Sequence, residues 1–171
     1  SGVKYFYFNN RNIWLNDYLE MYDIPYIASS KAALDNESDK NKAKKIMQRA
    51  KIKTADFFIT TPGEYKTSLS IPITFPLFIK PVTGGDSRGI DANSIVYDFL
   101  SFKAKVLDIK TKHNLPSLVE TYLPGKEYSV GIFEDSANGN LRAMPVEIIV
   151  KKNMNGHRIL DFDVKKDDEE K

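Results

Sequence analysis

Lys80 interrupts an otherwise apolar run, Phe75-Pro76-Leu77-Phe78-Ile79-Lys80-Pro81-Val82, and directly behind it stands Thr83-Gly84-Gly85-Asp86-Ser87-Arg88-Gly89. A lysine among apolar strand neighbours must reach a partner or water, because an unpaired buried ammonium is costly. Glycines let successive backbone N–H groups turn inward, and such a concavity binds phosphate oxygens. Together the two features point to a phosphate-bearing ligand. Each also has a plainer reading: a Gly-rich surface turn, and an edge-strand lysine that snorkels to water. The glycine spacing from Gly84 to Gly89 imitates a Walker A loop. Ile90-Asp91 stands where Lys-Ser/Thr would be required, so a P-loop is excluded.

Further on, Glu120-Thr121-Tyr122-Leu123-Pro124-Gly125-Lys126-Glu127 places two carboxylates seven residues apart across a strand and a turn. One carboxylate beside open backbone groups can read the edge of an adenine through its exocyclic amine. A second can hold two ribose hydroxyls. Taken singly, both acids are ordinary solvated surface groups. His113 and His157 are the only histidines, neither falls in a metal-ligand spacing, and both read as surface residues near a helix end and a turn.

The elements that must carry these residues follow from periodicity. Val3 to Phe8 reads as a strand stopped by Asn9-Asn10, and Ile13 to Tyr22 has helical spacing, with Trp14 as core or interface packing. Ile24 to Ile27 is a short strand or extended link. Asp35 to Ala50 predicts a helix with Ser38 or Asp39 as cap, and Lys42, Lys44, Lys45, Arg49, Lys51 and Lys53 form a basic cluster around Lys40. Such a cluster is a solvated helix face or a source of positive potential for a polyanionic nucleotide.

Ile52 to Thr60 and Phe75 to Val82 predict strands. After the Gly-rich loop a helix is expected, with Ser94 as cap and Ile95, Phe99, Phe102 and Val106 on one face. Leu118 to Leu123 reads as a strand stopped by Pro124-Gly125. Tyr128 to Phe133 and Ala143 to Val150 form a hairpin around Asn138-Gly139, and Asn155-Gly156 turns into Arg158 to Val164. Helix–strand alternation followed by a hairpin-rich half gives an α+β architecture in two small lobes.

Composition narrows the class. With 42% hydrophobic and 28% charged residues, the chain is an ordinary globular one rather than a disordered one. A net charge of +2 is too balanced to point to nucleic acid or an anionic membrane. The absence of cysteine excludes disulfides, Cys-based zinc sites and thiol nucleophiles. Ser1-Gly2-Val3-Lys4 has no signal pattern and no apolar run reaches spanning length, so a cytoplasmic protein is expected.

In order, these motifs resemble the ATP-grasp fold of D-alanine–D-alanine ligases. Ser38-Asp39-Lys40 is similar to the family's Met-Asp-Lys at a helix start. Phe75 to Pro81 resembles its Pro-hydrophobic-hydrophobic-Lys-Pro strand, and Gly85-Asp86-Ser87-Arg88-Gly89 its Gly-Ser-Ser-Val-Gly loop. Val119-Glu120, Leu123, Gly125, Glu127 and Tyr128-Ser129-Val130 resemble its Val-Glu…Gly-x-Glu-Phe-Thr-Val run. Met144 to Ile148 and Asp161 to Lys165 resemble two later segments, so the similarity runs from about Ile24 to Lys165.

The resemblance implies the following roles. Lys40, Lys80 and Lys165 meet the ATP phosphates, with Gly85, Asp86 and Ser87 in the loop over them, and Lys80 and Lys165 serve catalysis. Glu120 meets the adenine amine, backbone of Thr121, Tyr122 and Leu123 meets the ring, and Glu127 holds the ribose. ATP and Mg2+ are the implied cofactors, and the metal ligands are expected outside this chain, so no residue here is assigned to metal. The implied chemistry joins a carboxylate to an amine, for example of D-alanine, through an acyl phosphate, in peptidoglycan precursor synthesis. Converging cations and backbone donors suit phosphoryl transfer, in which charge stabilisation supplies most of the catalysis. The resemblance allows a homodimer of the intact protein.

Several positions depart from the family. Asp86 replaces a serine, Gly84 a glutamate, and Lys166 a tyrosine, which suggests an Asp86–Lys166 salt bridge and a different acceptor. The later Asp and Glu-x-Asn metal segment is not matched by Lys166 to Lys171. By this resemblance residues 1–36 are a remnant of a preceding domain, 37–120 the first ATP-grasp lobe, and 121–171 the start of the second, truncated before the metal-ligand segment; the chain by itself is expected to be inactive. The readings in competition are a non-catalytic nucleotide-binding module and an ATP-grasp ligase for another amino acid or peptide.

Overall fold

The computed structural model describes residues 5–8, 10–26, 29–85, 87–135, 137–150 and 156. By its contacts the chain forms two units, one of residues 1–54 with 82–85 and the other of residues 55–81 with 86–171.

In the first unit, β1 (Tyr5–Phe8) pairs antiparallel with β2 (Arg11–Trp14), which leads directly into α1 (Leu15–Met21). The helical spacing from Ile13 therefore takes effect only from Leu15. Ile13 and Trp14 lie opposite Phe6 and Tyr5 as strand residues, because the ladder to β1 outweighs local periodicity. The left-handed backbone of Asn10 turns the hairpin, and asparagine tolerates that conformation. Buried Asn16 donates to the Ser29 carbonyl at 2.5 Å, and Asp17 pairs with Lys31 at 3.0 Å.

The long helix expected over Asp35 to Ala50 is two helices, α2 (Lys31–Ser38) and α3 (Lys40–Arg49). Asp39 divides them. Its extended backbone bridges to Thr83, while its carboxylate accepts the Lys42 N–H at 3.0 Å and so caps α3. Further hydrogen bonds join the Lys40 N–H to the Val82 carbonyl and the Gly84 N–H to the Ser38 carbonyl. Residues 82–85 thus run alongside the α2–α3 junction.

The second unit is built on β3 (Phe57–Thr60), β4 (Leu77–Pro81), β5 (Ile95–Val96) and β6 (Ser117–Thr121), in the order β3-β6-β4-β5 and antiparallel throughout. Strand alternation sends Leu77 and Ile79 to one face and Phe78 and Lys80 to the other. Beneath the first face lies α4 (Phe99–His113), whose Phe102, Val106 and Ile109 join Leu77, Ile79, Val96, Val119 and Ile71 in the core. Edge-on contacts of Tyr65 with Phe58 and Phe102 extend that core.

The helix begins later than Ser94. Asp98 caps it, accepting from the Ser101 N–H at 2.8 Å, and Ile95 belongs to β5. Ser94 instead lies in the short turn 92–94, where its hydroxyl accepts the Asp91 N–H.

A hairpin of β7 (Glu127–Glu134) and β8 (Leu141–Ile148) follows, turning at Asn138-Gly139 as its sequence predicts. Tyr128, Val130, Ile132 and Leu141 share one face of it, and Phe133, Met144 and Val146 the other. All seven are more than half exposed. Among the described residues no helix is long and apolar enough to cross a membrane. The turn at Asn155, the strand from Arg158, His157 and Lys165 to Lys171 lie outside the described residues.

Candidate functional site

The face of the sheet opposite α4 carries Phe57, Phe78, Lys80, Leu118 and Glu120. Register fixes this set: Glu120 lies opposite both Phe57 and Phe78, and Lys80 opposite Leu118. Lys80 and Glu120 are therefore diagonal neighbours on adjacent strands, within reach of long side chains. Lys80 Nζ lies 2.5 Å from a Glu120 carboxylate oxygen and 5.5 Å from the centre of the Phe78 ring. The Glu120 side chain is only 9% exposed and that of Lys80 21%, so the pair is held largely out of water and screened less than a surface pair. In the sheet order β4 lies between β6 and β5, but β5 pairs only with Leu77 and Phe78, so Lys80 stands beyond that pairing and keeps a fifth of its side chain exposed.

Beyond Glu120 the chain leaves the ladder with its backbone donors assigned. The Thr121 N–H donates to the Asp56 carbonyl at 3.0 Å, and the Tyr122 N–H to the Pro76 carbonyl at 3.1 Å. The Leu123 N–H makes no hydrogen bond among the described residues. Partial burial holds the Tyr122 phenol above its usual range. Glu127 opens β7, exposed to solvent, and with Leu123, Gly125, Lys126, Ile148 and Val150 it lines a cleft of about 220 Å³. Lys126 crosses to Glu147 at 2.9 Å and ties the base of the hairpin.

The Gly-rich loop is divided between the two units. In the first, Lys40 Nζ donates to the Gly84 carbonyl at 2.5 Å, so this lysine is fastened to the loop ahead of Gly85. In the second, Ser87 has left-handed backbone and its carbonyl accepts the Ile90 N–H at 2.9 Å. Gly89 sits so close to Pro81 that an added Cβ would fall 2.6 Å from the proline ring and 3.0 Å from His113 Nε2. Glycine is required there by contact as well as by its φ of +75°.

The structure thus joins Lys80 to Glu120, places Leu123 and Glu127 on one cleft, and fastens Lys40 beside Gly84. Asp86, Lys165 and Lys166 lie outside the described residues, and the expected Asp86–Lys166 bridge with them. No cluster among the described residues could hold a metal ion. Sequence reasoning passed over Asp91 and Lys105, whose charged groups are 2.9 Å apart. The signal was present, because Lys105 falls at helical spacing between Phe102 and Ile109 on the buried face of α4.

The family model for the D-ala D-ala ligase C-terminus matches residues 46–171, well over half of the chain. A D-alanine–D-alanine ligase of Mycolicibacterium vanbaalenii is 28% identical over 151 residues, covering 86% of this chain and 40% of that protein. Among solved structures, the D-alanine–D-alanine ligase of Helicobacter pylori superposes with a TM-score of 0.61 at 22% identity, over 86% of this chain and 42% of the other. The Bacillus anthracis enzyme complexed with ATP gives a TM-score of 0.54 at 22% identity, over 79% and 48%. The chain spans about two fifths of the length of the curated relatives it matches. These superpositions identify the α+β fold as part of an ATP-grasp fold. The family match takes in both strands that carry the Lys80–Glu120 pair, and the chain belongs to the D-ala D-ala ligase C-terminus family.

Proposed function

We propose that this chain is the ATP-binding part of a carboxylate–amine ligase of the D-alanine–D-alanine ligase type, working through an acyl phosphate. The observation that carries the reading is the Lys80–Glu120 pair, followed three residues on by the Leu123 N–H, which makes no hydrogen bond among the described residues. Adenine offers an exocyclic amine next to a ring nitrogen that accepts. A carboxylate at Glu120 and an N–H at Leu123 supply the complementary pattern, and hydrogen bonds to a charged acceptor are the stronger kind. Lys80, already on the same face, is positioned to meet the first negative charge beyond the base.

Glu127 on the cleft with Leu123 suits the paired ribose hydroxyls, since an ionised carboxylate accepts from two donors at once. Lys40, Gly85, Asp86 and Ser87 are assigned to the triphosphate, and Lys80 and Lys165 to stabilising charge in transfer, the dominant contribution in phosphoryl chemistry. Mg2+ would be held by oxygen ligands outside this chain, and it would supply positive charge to offset that of the phosphates. In this reading residues 1–36 are the remnant of a preceding domain, 37–120 the first ATP-grasp lobe and 121–171 the start of the second. The protein works in the cytoplasm on ATP and an amino acid such as D-alanine.

Titration of the chain with ATP and ADP tests the assignment. Binding is expected, and Lys80→Ala and Glu127→Ala should each weaken it by about tenfold, the equivalent of one charge-assisted contact. Unchanged affinity in both variants would overturn it.

A further inference from the structure

Lys105 lies in the middle of α4 with its side chain 2% exposed, an unusual place for an ammonium unless something holds it there. Asp91 does so, with a carboxylate oxygen 2.9 Å from Nζ, and Asp108 stands at 3.9 Å while itself paired with Lys112. The Lys105–Asp91 contact is an ion pair rather than an aligned hydrogen bond, so it acts through charge and position.

Asp91 is also the knot of the segment that leaves the Gly-rich loop. The carboxylate oxygen that meets Lys105 also accepts the Asn93 N–H at 2.8 Å. Its N–H donates to the Ser94 hydroxyl at 3.0 Å, and its carbonyl accepts the Ser94 N–H at 3.0 Å. Ser94 is fully buried. Between Ser87 and Asp91 the chain has one hydrogen-bonded turn and the close seat of Gly89 on Pro81. The downstream limb of the loop is therefore fixed at Pro81 and at Asp91, and the second anchor runs through Lys105 into the core helix.

We propose that Lys105 is a positioning residue for the phosphate-facing loop. By holding Asp91, it sets where Ser87 and the N–H groups of residues 87–89 stand. The inference rests on the nucleotide reading above and adds a residue that touches no ligand itself. It separates two contributions to affinity: the base and ribose are read at Glu120, Leu123 and Glu127, whereas Lys105 acts only on what the loop grips.

The test compares ATP with adenosine, measured by calorimetric titration of the full chain. Lys105→Met keeps the length and apolar stem and removes the charge. It should weaken ATP by about tenfold, on the scale of one lost charge-assisted contact, and leave adenosine unchanged. Lys105→Arg should restore most of the ATP affinity. Asp91→Asn keeps the capping oxygen and removes the charge that Lys105 meets, so it should repeat the ATP-selective loss, and it carries the test alone if Lys105→Met does not fold. An equal loss for ATP and adenosine, or no loss for ATP in folded variants, overturns the positioning role. If the unaltered chain binds neither, the nucleotide reading fails first and this inference with it.

Discussion

Lys80 and Glu120 stand two rungs apart on neighbouring strands, and their side chains close that diagonal into an ion pair 2.5 Å long. Neither group can be altered without changing the surroundings of the other. A largely buried carboxylate that loses its cation keeps its desolvation cost and loses the compensating attraction.

Stability should register this coupling. Lys80→Met alone is expected to destabilise the chain by about 1–3 kcal/mol, and Glu120→Gln alone by a similar amount. The double variant should cost clearly less than the sum, because the second change removes the charge that the first exposed. Urea unfolding of the four proteins measures it, and strict additivity would show that the pair is energetically empty.

Base selectivity offers an independent check. Inosine triphosphate carries a carbonyl where ATP carries an amine, so the Glu120 carboxylate should favour ATP. Glu120→Gln supplies a donor as well as an acceptor, and the preference should shrink by about tenfold. Competition titration of the two nucleotides reads the ratio; a preference that survives intact would place the adenine edge elsewhere.

Two glycines in the left-handed region separate strain from contact. Gly63, at φ +85°, has nothing within 4 Å of an added Cβ, so Gly63→Ala should cost only backbone strain, about 1 kcal/mol. Gly89→Ala adds the collision with Pro81 and His113 and should cost roughly 2–4 kcal/mol. Equal losses in denaturant unfolding would mean that the seat of Gly89 on Pro81 is loose.

Acid should loosen α4 through its cap. The Ser101 backbone N–H, and secondarily its hydroxyl, hold the Asp98 carboxyl below its usual range. A depressed folded pKa means that the stabilisation is complete above the unfolded value, about 4, and is lost as pH falls below it. Between pH 5 and pH 3, Asp98→Asn should therefore show a shallower fall in stability than the unaltered chain. Parallel slopes would dismiss the cap as a titrating contributor.

What could be read from residue order was governed by how local each cause is. The β7–β8 hairpin follows from alternation around Asn138-Gly139, both visible within a short stretch. The apolar run from Phe75 to Val82, interrupted only by Lys80, gave β4, but the partner of Lys80 depends on the register with β6, which no local pattern contains. Ile13 and Trp14 looked helical because their competitor, the ladder to Tyr5–Phe8, lies outside the periodic window. The cap of α4 was misplaced onto Ser94 because Ser94 and Asp98 each precede apolar residues at workable spacing. Pairing of Ile95 and Val96 with β4 decides between them. Lys105 went unnoticed for a related reason: a lysine on an apolar helical stripe counts as an exception until Asp91 is seen to meet it.

The hairpin has a consequence for how the chain behaves in quantity. A two-stranded ribbon with Tyr128, Val130, Ile132 and Leu141 on one side and Phe133, Met144 and Val146 on the other presents apolar side chains on both faces, between Glu134 and Glu147 on the first and Glu127 and Arg142 on the second. Among the described residues its strands pair only with each other, which leaves open edges beside both sticky surfaces. Pro145, opposite Val130, has no N–H to offer an incoming strand and interrupts one of those edges. Among the described residues nothing pairs with the remaining stretches, so on concentration self-association should begin at residues 127–148 while the α4-backed sheet is still folded. Clouding, not melting, would then set the working ceiling.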